Sequence, residues 1–206
     1  MKLLDKGNFQ KIDEVFLSRS LDVFQSLTKI QTEYDKLDTD TFINEVRDSI
    51  AAKYLNYTHV NTEKHGFDAR RASKSGFDYL EVKTASFDAR SWQATFNDTN
   101  LEKADVFKQD NIYLALSVWR AASELLFIVY GRNKEIGKFL EDKVKWFKAG
   151  NTVRSTQSIS ISDLVLKYGL KIYAVNKSVD EIYDLLQLRG GCNKIQKENI
   201  LDIRDL

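Results

Sequence analysis

Gly66-Phe67-Asp68-Ala69-Arg70-Arg71-Ala72-Ser73-Lys74-Ser75-Gly76-Phe77-Asp78-Tyr79-Leu80-Glu81-Val82-Lys83-Thr84 carries two short β-like runs on either side of a turn-forming Lys74-Ser75-Gly76. The segment reads as a hairpin with Asp68 on one arm and Glu81 and Lys83 on the other. Successive side chains of a strand alternate between faces, which sends Tyr79, Glu81 and Lys83 one way and Asp78, Leu80 and Val82 the other. With Lys74-Ser75 as a two-residue loop, Ser73 stands opposite Gly76, and counting back along both arms brings Asp68 opposite Glu81. Such partners have Cβ atoms about 5 Å apart. A one-residue slip would aim the two acids at opposite faces, so the turn decides whether they meet.

Two carboxylates that close repel one another unless positive charge lies between them. A hard divalent cation such as Mg²⁺, held by one or two carboxylates together with water and phosphate oxygens, supplies that charge. Asp78 is the rival for Asp68, but alternation sets it on the face away from Glu81.

On the N-terminal side, Ile12, Val15, Phe16, Val23, Leu27, Ile30, Tyr34 and Leu37 follow helical spacing and predict one long helix or a pair over 9–37. Asp38-Thr39-Asp40-Thr41 offers N-cap chemistry for a second helix, marked by Phe42, Val46 and Ile50 and ending near Tyr54, with Glu45 on its flank. A short strand is expected over 58–62. After the hairpin, a crossover helix over 99–110 leads to 111–119, which is almost continuously apolar, as expected for a central strand covered on both faces. Residues 124–131 form its hairpin neighbour, ending in a turn at Gly131. A helix follows over 133–149, with Ile136, Phe139, Leu140, Val144 and Phe147 inward. Residues 150–157 read as a polar linker, 162–168 as a short helix, 170–175 as a strand and 178–188 as a last helix capped by Ser178. This order predicts an α/β fold: a central mixed sheet flanked by helices, with N-terminal helices added.

Thirty-one Lys and Arg against thirty Asp and Glu leave no global basic signature, so any nucleic-acid surface must be local. The absence of a bilayer-length apolar run and of a leader-like N-terminus leads us to expect a soluble intracellular protein with no membrane partner. A single cysteine, Cys192, excludes an internal disulfide and a multi-cysteine metal site. With no proline in the chain, its turns fall to Gly, Asn, Asp and Ser.

Asp68, twelve intervening residues, and then Glu81-Val82-Lys83 on a strand with apolar alternate positions resembles the PD-(D/E)XK nuclease superfamily. The likeness covers roughly residues 42–130, where the elements follow that family's order of helix, strand, acid-bearing strand, (D/E)XK strand, helix and strand. Phe67 stands where the motif's name puts proline. The resemblance implies a restriction-endonuclease-like core in which Asp68, Glu81 and the backbone carbonyl of Val82 bind metal and Lys83 is the catalytic lysine. Glu45 matches in order the glutamate that some members carry on the preceding helix; its other reading is a solvated carboxylate near Arg47 and Lys53. Also implied are Mg²⁺, with Mn²⁺ as a substitute, and hydrolysis of phosphodiester bonds in double-stranded DNA.

Size points to a small Type II restriction endonuclease, cytoplasmic and prokaryotic or phage-encoded, working as a two-fold homodimer through its N-terminal helices. The whole chain, 1–206, is then a single nuclease domain: a helical extension over 1–40, a catalytic core over 41–131, and an α/β part over 132–206 for DNA recognition or dimerisation. A junction resolvase, repair or phage nuclease of the same fold is one alternative, and a catalytically inert DNA-binding or interaction module is another.

Contacts to DNA would come from local cations and polar groups. Arg70, Arg71, Lys74 and Arg90 surround the hairpin, Trp92 and Gln93 follow it, and Arg154 lies in the polar linker. Arginines on a strand edge also block sheet pairing, and Trp92 reads equally as core. His65, three residues before Asp68, has an approach to the acids as one reading and a lone exposed loop histidine as the favoured one, and His59 is read as structural.

Overall fold

The computed structural model describes residues 14–33, 39–59, 67–97, 99–132, 134–148 and 156–206. The chain divides into two compact units, Met1–Ile43 and Asn44–Leu206. Within the first, helix α1 spans Glu14–Glu33. Helix α2, Thr39–Tyr54, crosses the boundary. Ile12, Tyr34, Leu37, His65, Arg154 and most of the polar linker lie outside the described residues.

The second unit is built on a seven-stranded mixed sheet. Its strands are β1 (Thr58–His59), β2 (Ala69–Ser73), β3 (Gly76–Ser86), β5 (Ile112–Trp119), β6 (Leu125–Arg132), β8 (Lys171–Ala174) and β9 (Ile200–Asp202), in the spatial order β1-β2-β3-β5-β6-β8-β9. β3 runs parallel to β5, and β8 to β9; the other neighbours are antiparallel. A separate antiparallel pair joins β4 (Gln93–Phe96) to β7 (Gln157–Ser160). The remaining helices are α3 (Leu101–Phe107), α4 (Lys134–Lys148), α5 (Ile161–Leu166) and α6 (Val179–Gln187). Among the described residues no helix is long and apolar enough to cross a membrane.

The hairpin forms in the register that the turn dictates. Ser73 pairs with Gly76 and Ala69 with Leu80. Gly76 takes φ +123°, a backbone that side-chain-bearing residues rarely adopt, and this lets the chain re-enter the ladder after Lys74-Ser75. The parallel β3–β5 pair is joined through α3, whose first turn is capped by Asn100 accepting from the Lys103 N–H. β6 ends in Arg132 rather than in a turn at Gly131. Gly131 is a strand residue kept small by Leu170, whose Cγ would lie 2.9 Å from an added Cβ.

The sheet is covered on both faces. Leu114, Leu116 and Val118 of β5 pack with Phe107 of α3, Ile136 and Leu140 of α4, Leu164 of α5, and Ile182 and Leu186 of α6. Leu80, Val82, Ala115 and Ile128 face the other way, onto Ala51, Ala52 and Leu55 at the end of α2. Each leucine or isoleucine buried in this way contributes about 1.5–3 kcal/mol. The C-terminal residues do not form a separate layer: β8 and β9 extend the same sheet, and their Ile172 and Ile200 join the same core. α6 begins with a full capping box, in which Ser178 accepts from the Glu181 N–H while the Glu181 carboxylate accepts from the Ser178 N–H.

Two expectations are corrected by packing. β7 begins at Gln157, where the sequence reads as the end of a polar linker, because Ile159 and Gln157 are buried while Ser158 faces out. On α2, Phe42 is buried as expected and Val46 half-buried, but Ile50 is 36% exposed, and towards the end of the helix the buried positions are Ala51, Ala52 and Leu55.

Candidate functional site

β2 and β3 part company at Asp68, and the site is made by how that parting is closed. The Asp68 N–H still donates to the Leu80 carbonyl at 3.1 Å. The next rung is supplied by the Asp68 side chain, whose Oδ2 accepts from the Val82 N–H at 2.7 Å. The acid is thereby pinned to the edge of β3 between Leu80 and Val82, beside Glu81. Glu81 is 7% exposed, and its Oε1 accepts from Lys83 Nζ at 2.5 Å, two residues along the same face of the strand. Lys83 Nζ also lies 5.9 Å from the centre of the Phe96 ring.

α2 brings a further acid, Asp48, against β3. Asp48, Ala51, Ala52 and Leu55 follow i, i+3, i+4, i+7 spacing, so the small buried alanines bring Asp48 down onto the sheet. Its Oδ1 accepts from the Thr84 hydroxyl at 3.2 Å. Glu45, one turn earlier and half-buried, is the residue that family order suggests. Asp48 makes a side-chain bond between α2 and β3. The spacing is legible in the sequence once Ala51 and Ala52 are counted as core residues.

Electrostatics tie the groups together. Burial pushes the Asp48 carboxyl up to about 7, with the Asp68 charge adding to the rise while the Thr84 hydrogen bond and Lys83 oppose it. Asp68 is raised to about 6, first by burial and then by Glu81, against the Val82 N–H, Lys83 and Lys103. Lys83 is drawn down by burial, but the carboxylates of Glu81, Asp68 and Asp48 outweigh this and hold it above its ordinary value. It therefore stays an ammonium at neutral pH.

The donor set suits a hard cation. Each of the bonds described occupies one carboxylate oxygen of Asp48, Asp68 or Glu81. Burial raises both Asp48 and Asp68, and the carboxylate charge that adds to the rise, Asp68 acting on Asp48 and Glu81 on Asp68, is what a divalent ion would relieve. Among the described residues no three His, Cys, Asp or Glu groups stand together as a ready-made metal cage. Mg²⁺ does not need one, since one or two carboxylates with water and substrate oxygens complete its shell.

The residues expected to contact DNA divide by exposure. Arg70, Lys74, Arg90 and Gln93 are exposed, Arg70 lying 4.6 Å over the Phe77 ring. Arg71 is engaged on the opposite face of the sheet: its Nε bonds Asp78 Oδ2 at 3.3 Å, and its guanidinium covers the Tyr57 ring at 4.5 Å. Asp78 is thus tied to Arg71, away from Glu81. Trp92 is corrected outright, being 2% exposed. Its Nε1–H donates to the Phe87 carbonyl, its ring meets Phe87 and Phe127, and the Arg189 guanidinium lies 3.8 Å from its centre. Burial leaves no face of that ring for a base. Lys103, which the sequence reading passes over, contributes positive charge to the surroundings of Asp68 and donates to the Asn97 carbonyl at 3.3 Å.

No protein-family model matches this chain, and no curated protein matches it at a significant level.

Proposed function

We propose that the chain is a Mg²⁺-dependent endonuclease that hydrolyses phosphodiester bonds of double-stranded DNA, in the manner of a small sequence-specific Type II restriction enzyme. The observation that carries this reading is the closure of one hairpin around Asp68, Glu81 and Lys83, with the acid pinned to the Val82 N–H and the ammonium bonded to Glu81. Asp68 and Glu81, with the Val82 carbonyl, would hold the ion, and Asp48 is a further acid that feels their charge. When bound, the ion neutralises phosphate oxygens and lowers the pKa of the attacking water. Lys83, charged at neutral pH and fixed by Glu81, stabilises the negative charge that builds on the pentacovalent phosphorus and orients the water toward it. Arg70, Lys74, Arg90 and Lys103 would meet backbone phosphates, and Gln93 is free to reach a base edge. For the two-fold dimer, support comes from α1, whose Val15, Val23, Phe24 and Ile30 are exposed.

Incubation of the protein with phage DNA and Mg²⁺ tests the reading. Discrete fragments are expected; a smear would replace the restriction assignment with an unspecific nuclease, and intact DNA with both Mg²⁺ and Mn²⁺ would end the enzymatic one. Lys83→Ala, checked for folding, is expected to cut at least about a hundredfold more slowly than the parent. Equal cutting would move the site elsewhere.

A further inference from the structure

The short ribbon of β4 and β7 turns one face to the core and the other to solvent. Ala94 pairs with Ile159 and Phe96 with Gln157, and all four are buried. The outward pairs are Gln93 with Ser160 and Thr95 with Ser158. One step further, the Thr156 hydroxyl donates to Asn97 Oδ1 at 3.3 Å and continues the row. All six outward side chains are uncharged hydrogen-bonding groups, in a chain of which 30% of residues are charged. Cations flank the row rather than enter it: exposed Arg90 stands three residues before Gln93, and Lys103 Nζ donates to the Asn97 carbonyl at 3.3 Å. The turn that feeds β4 is clamped by Arg189, which donates to the Phe87 and Ala89 carbonyls, and the Ile161 N–H donates to the Trp92 carbonyl at 3.0 Å. Beneath the ribbon, the Phe96 ring centre lies 5.9 Å from Lys83 Nζ, so the row adjoins the Glu81–Lys83 pair.

We propose that the outer face of the β4–β7 ribbon is the base-reading element of the protein, entering the major groove of double-stranded DNA, with Gln93 and Asn97 setting the sequence preference. This rests on the DNA part of the reading above and not on catalysis. Neutral hydrogen-bonding groups between flanking cations match what a duplex offers, since Arg and Lys hold phosphates while Asn, Gln, Ser and Thr pair with base edges. The major groove is about 12 Å wide and admits a two-stranded ribbon. At about 3.4 Å per residue, Gln93 to Asn97 spans about 14 Å, or about four base-pair steps. Within the row, the Thr95 and Ser158 hydroxyls lie 3.1 Å apart, share one proton and keep the second for a partner. Ser160 is committed to Asp163 as the cap of α5. The bond from Thr156 to Asn97 Oδ1 leaves the Asn97 amide protons to donate, and Gln93 carries both a donor and an acceptor, the pattern that adenine complements. A face that was polar only for solubility would accept alanine at both positions without any change in sequence preference.

The test is selection by binding, in Ca²⁺, from a duplex library with a randomised central stretch, the retained duplexes being sequenced for wild type, Gln93→Ala, Asn97→Ala and Lys103→Ala. Wild type is expected to retain a shared sequence. Each of the first two variants, with the parent's melting curve, is expected to lose at least about fivefold of the discrimination at one or two positions of that sequence and to keep the rest. Lys103→Ala is expected to weaken binding to all sequences alike. A wild-type protein that retains no shared sequence overturns the proposal. So do unchanged preferences in both Gln93→Ala and Asn97→Ala, and so does a loss spread evenly over every position, which is what phosphate contacts give. Wild type that selects a sequence but leaves it uncut with Mg²⁺ and with Mn²⁺ upholds the ribbon and ends the nuclease reading instead. Should either alanine variant not fold, Gln93→Glu stands in for it: a preference moved toward cytosine, whose N4 amine a carboxylate accepts from, upholds the proposal, and an unmoved preference sinks it.

Discussion

Asp48 and Asp68 would be cheaper for the fold as neutral groups, and this has a measurable consequence. Both carboxyls are raised, to about 7 and about 6, whereas in the unfolded chain they titrate near 3.8. Between those values the folded protein binds more protons than the unfolded one, so stability falls as pH rises through this window. Metal-free protein is expected to lose about 4 kcal/mol of stability from these groups between pH 5 and pH 8. Denaturant melts of wild type and Asp48→Asn check it: the variant should be the more stable at pH 8 and should show the flatter pH dependence. Saturating Mg²⁺ should flatten the wild-type curve as well, by holding the acids ionised. If Asp48→Asn tracks wild type at every pH, Asp48 does not carry the strain assigned to it.

At the scale of elements, the site depends on three being held at close range. α2 approaches the sheet through Ala51 and Ala52, and larger side chains there would lift Asp48 away from Thr84. α3 approaches α4 through Gly137, where an added Cβ would lie 2.7 Å from the Lys108 backbone nitrogen and 2.8 Å from the Phe107 carbonyl carbon. Backbone cannot yield as a side-chain tip can, so Gly137→Ala must push α3 outward at a cost of about 1–3 kcal/mol. α3 also carries Lys103 toward Asp68. A lowered melting temperature with weaker DNA binding is therefore expected, measured by thermal unfolding and fluorescence anisotropy. A melting temperature equal to the parent's would mean that the two helices part freely. The hairpin is stiffer, because its register comes from its own turn and from Leu80 and Val82, both of them core residues.

For the whole molecule, a formal charge of +1 sets the character of any DNA complex. With so little net charge, attraction must come from the few cations around the site. If Arg70, Lys74, Arg90 and Lys103 each meet one phosphate, the logarithm of the binding constant should fall with the logarithm of salt concentration at a slope of about −3.6. Anisotropy titrations in Ca²⁺ across a salt series measure it. A slope twice as steep would show that a different surface engages the duplex. Arg71 is left out of the count because Asp78 already partners it across the sheet.

What the sequence determined by itself is local in origin. The turn at Lys74-Ser75-Gly76 and two-residue alternation place Asp68 beside Glu81 and send Asp78 to the other face, since a strand's register and facing follow from neighbours within a few residues. The long apolar runs of β5 and β6 and the Ser178 cap of α6 are legible for the same reason. Tertiary structure alone decided which groups join them. Asp48 meets Thr84 thirty-six positions away, β4 finds β7 across α3, β5, β6 and α4, and Arg189 reaches back 102 positions to the Phe87 carbonyl while covering Trp92. Whether an aspartate on a helix flank or a tryptophan after a strand faces water or core is settled by what packs against it. Periodicity within one segment carries no record of that partner.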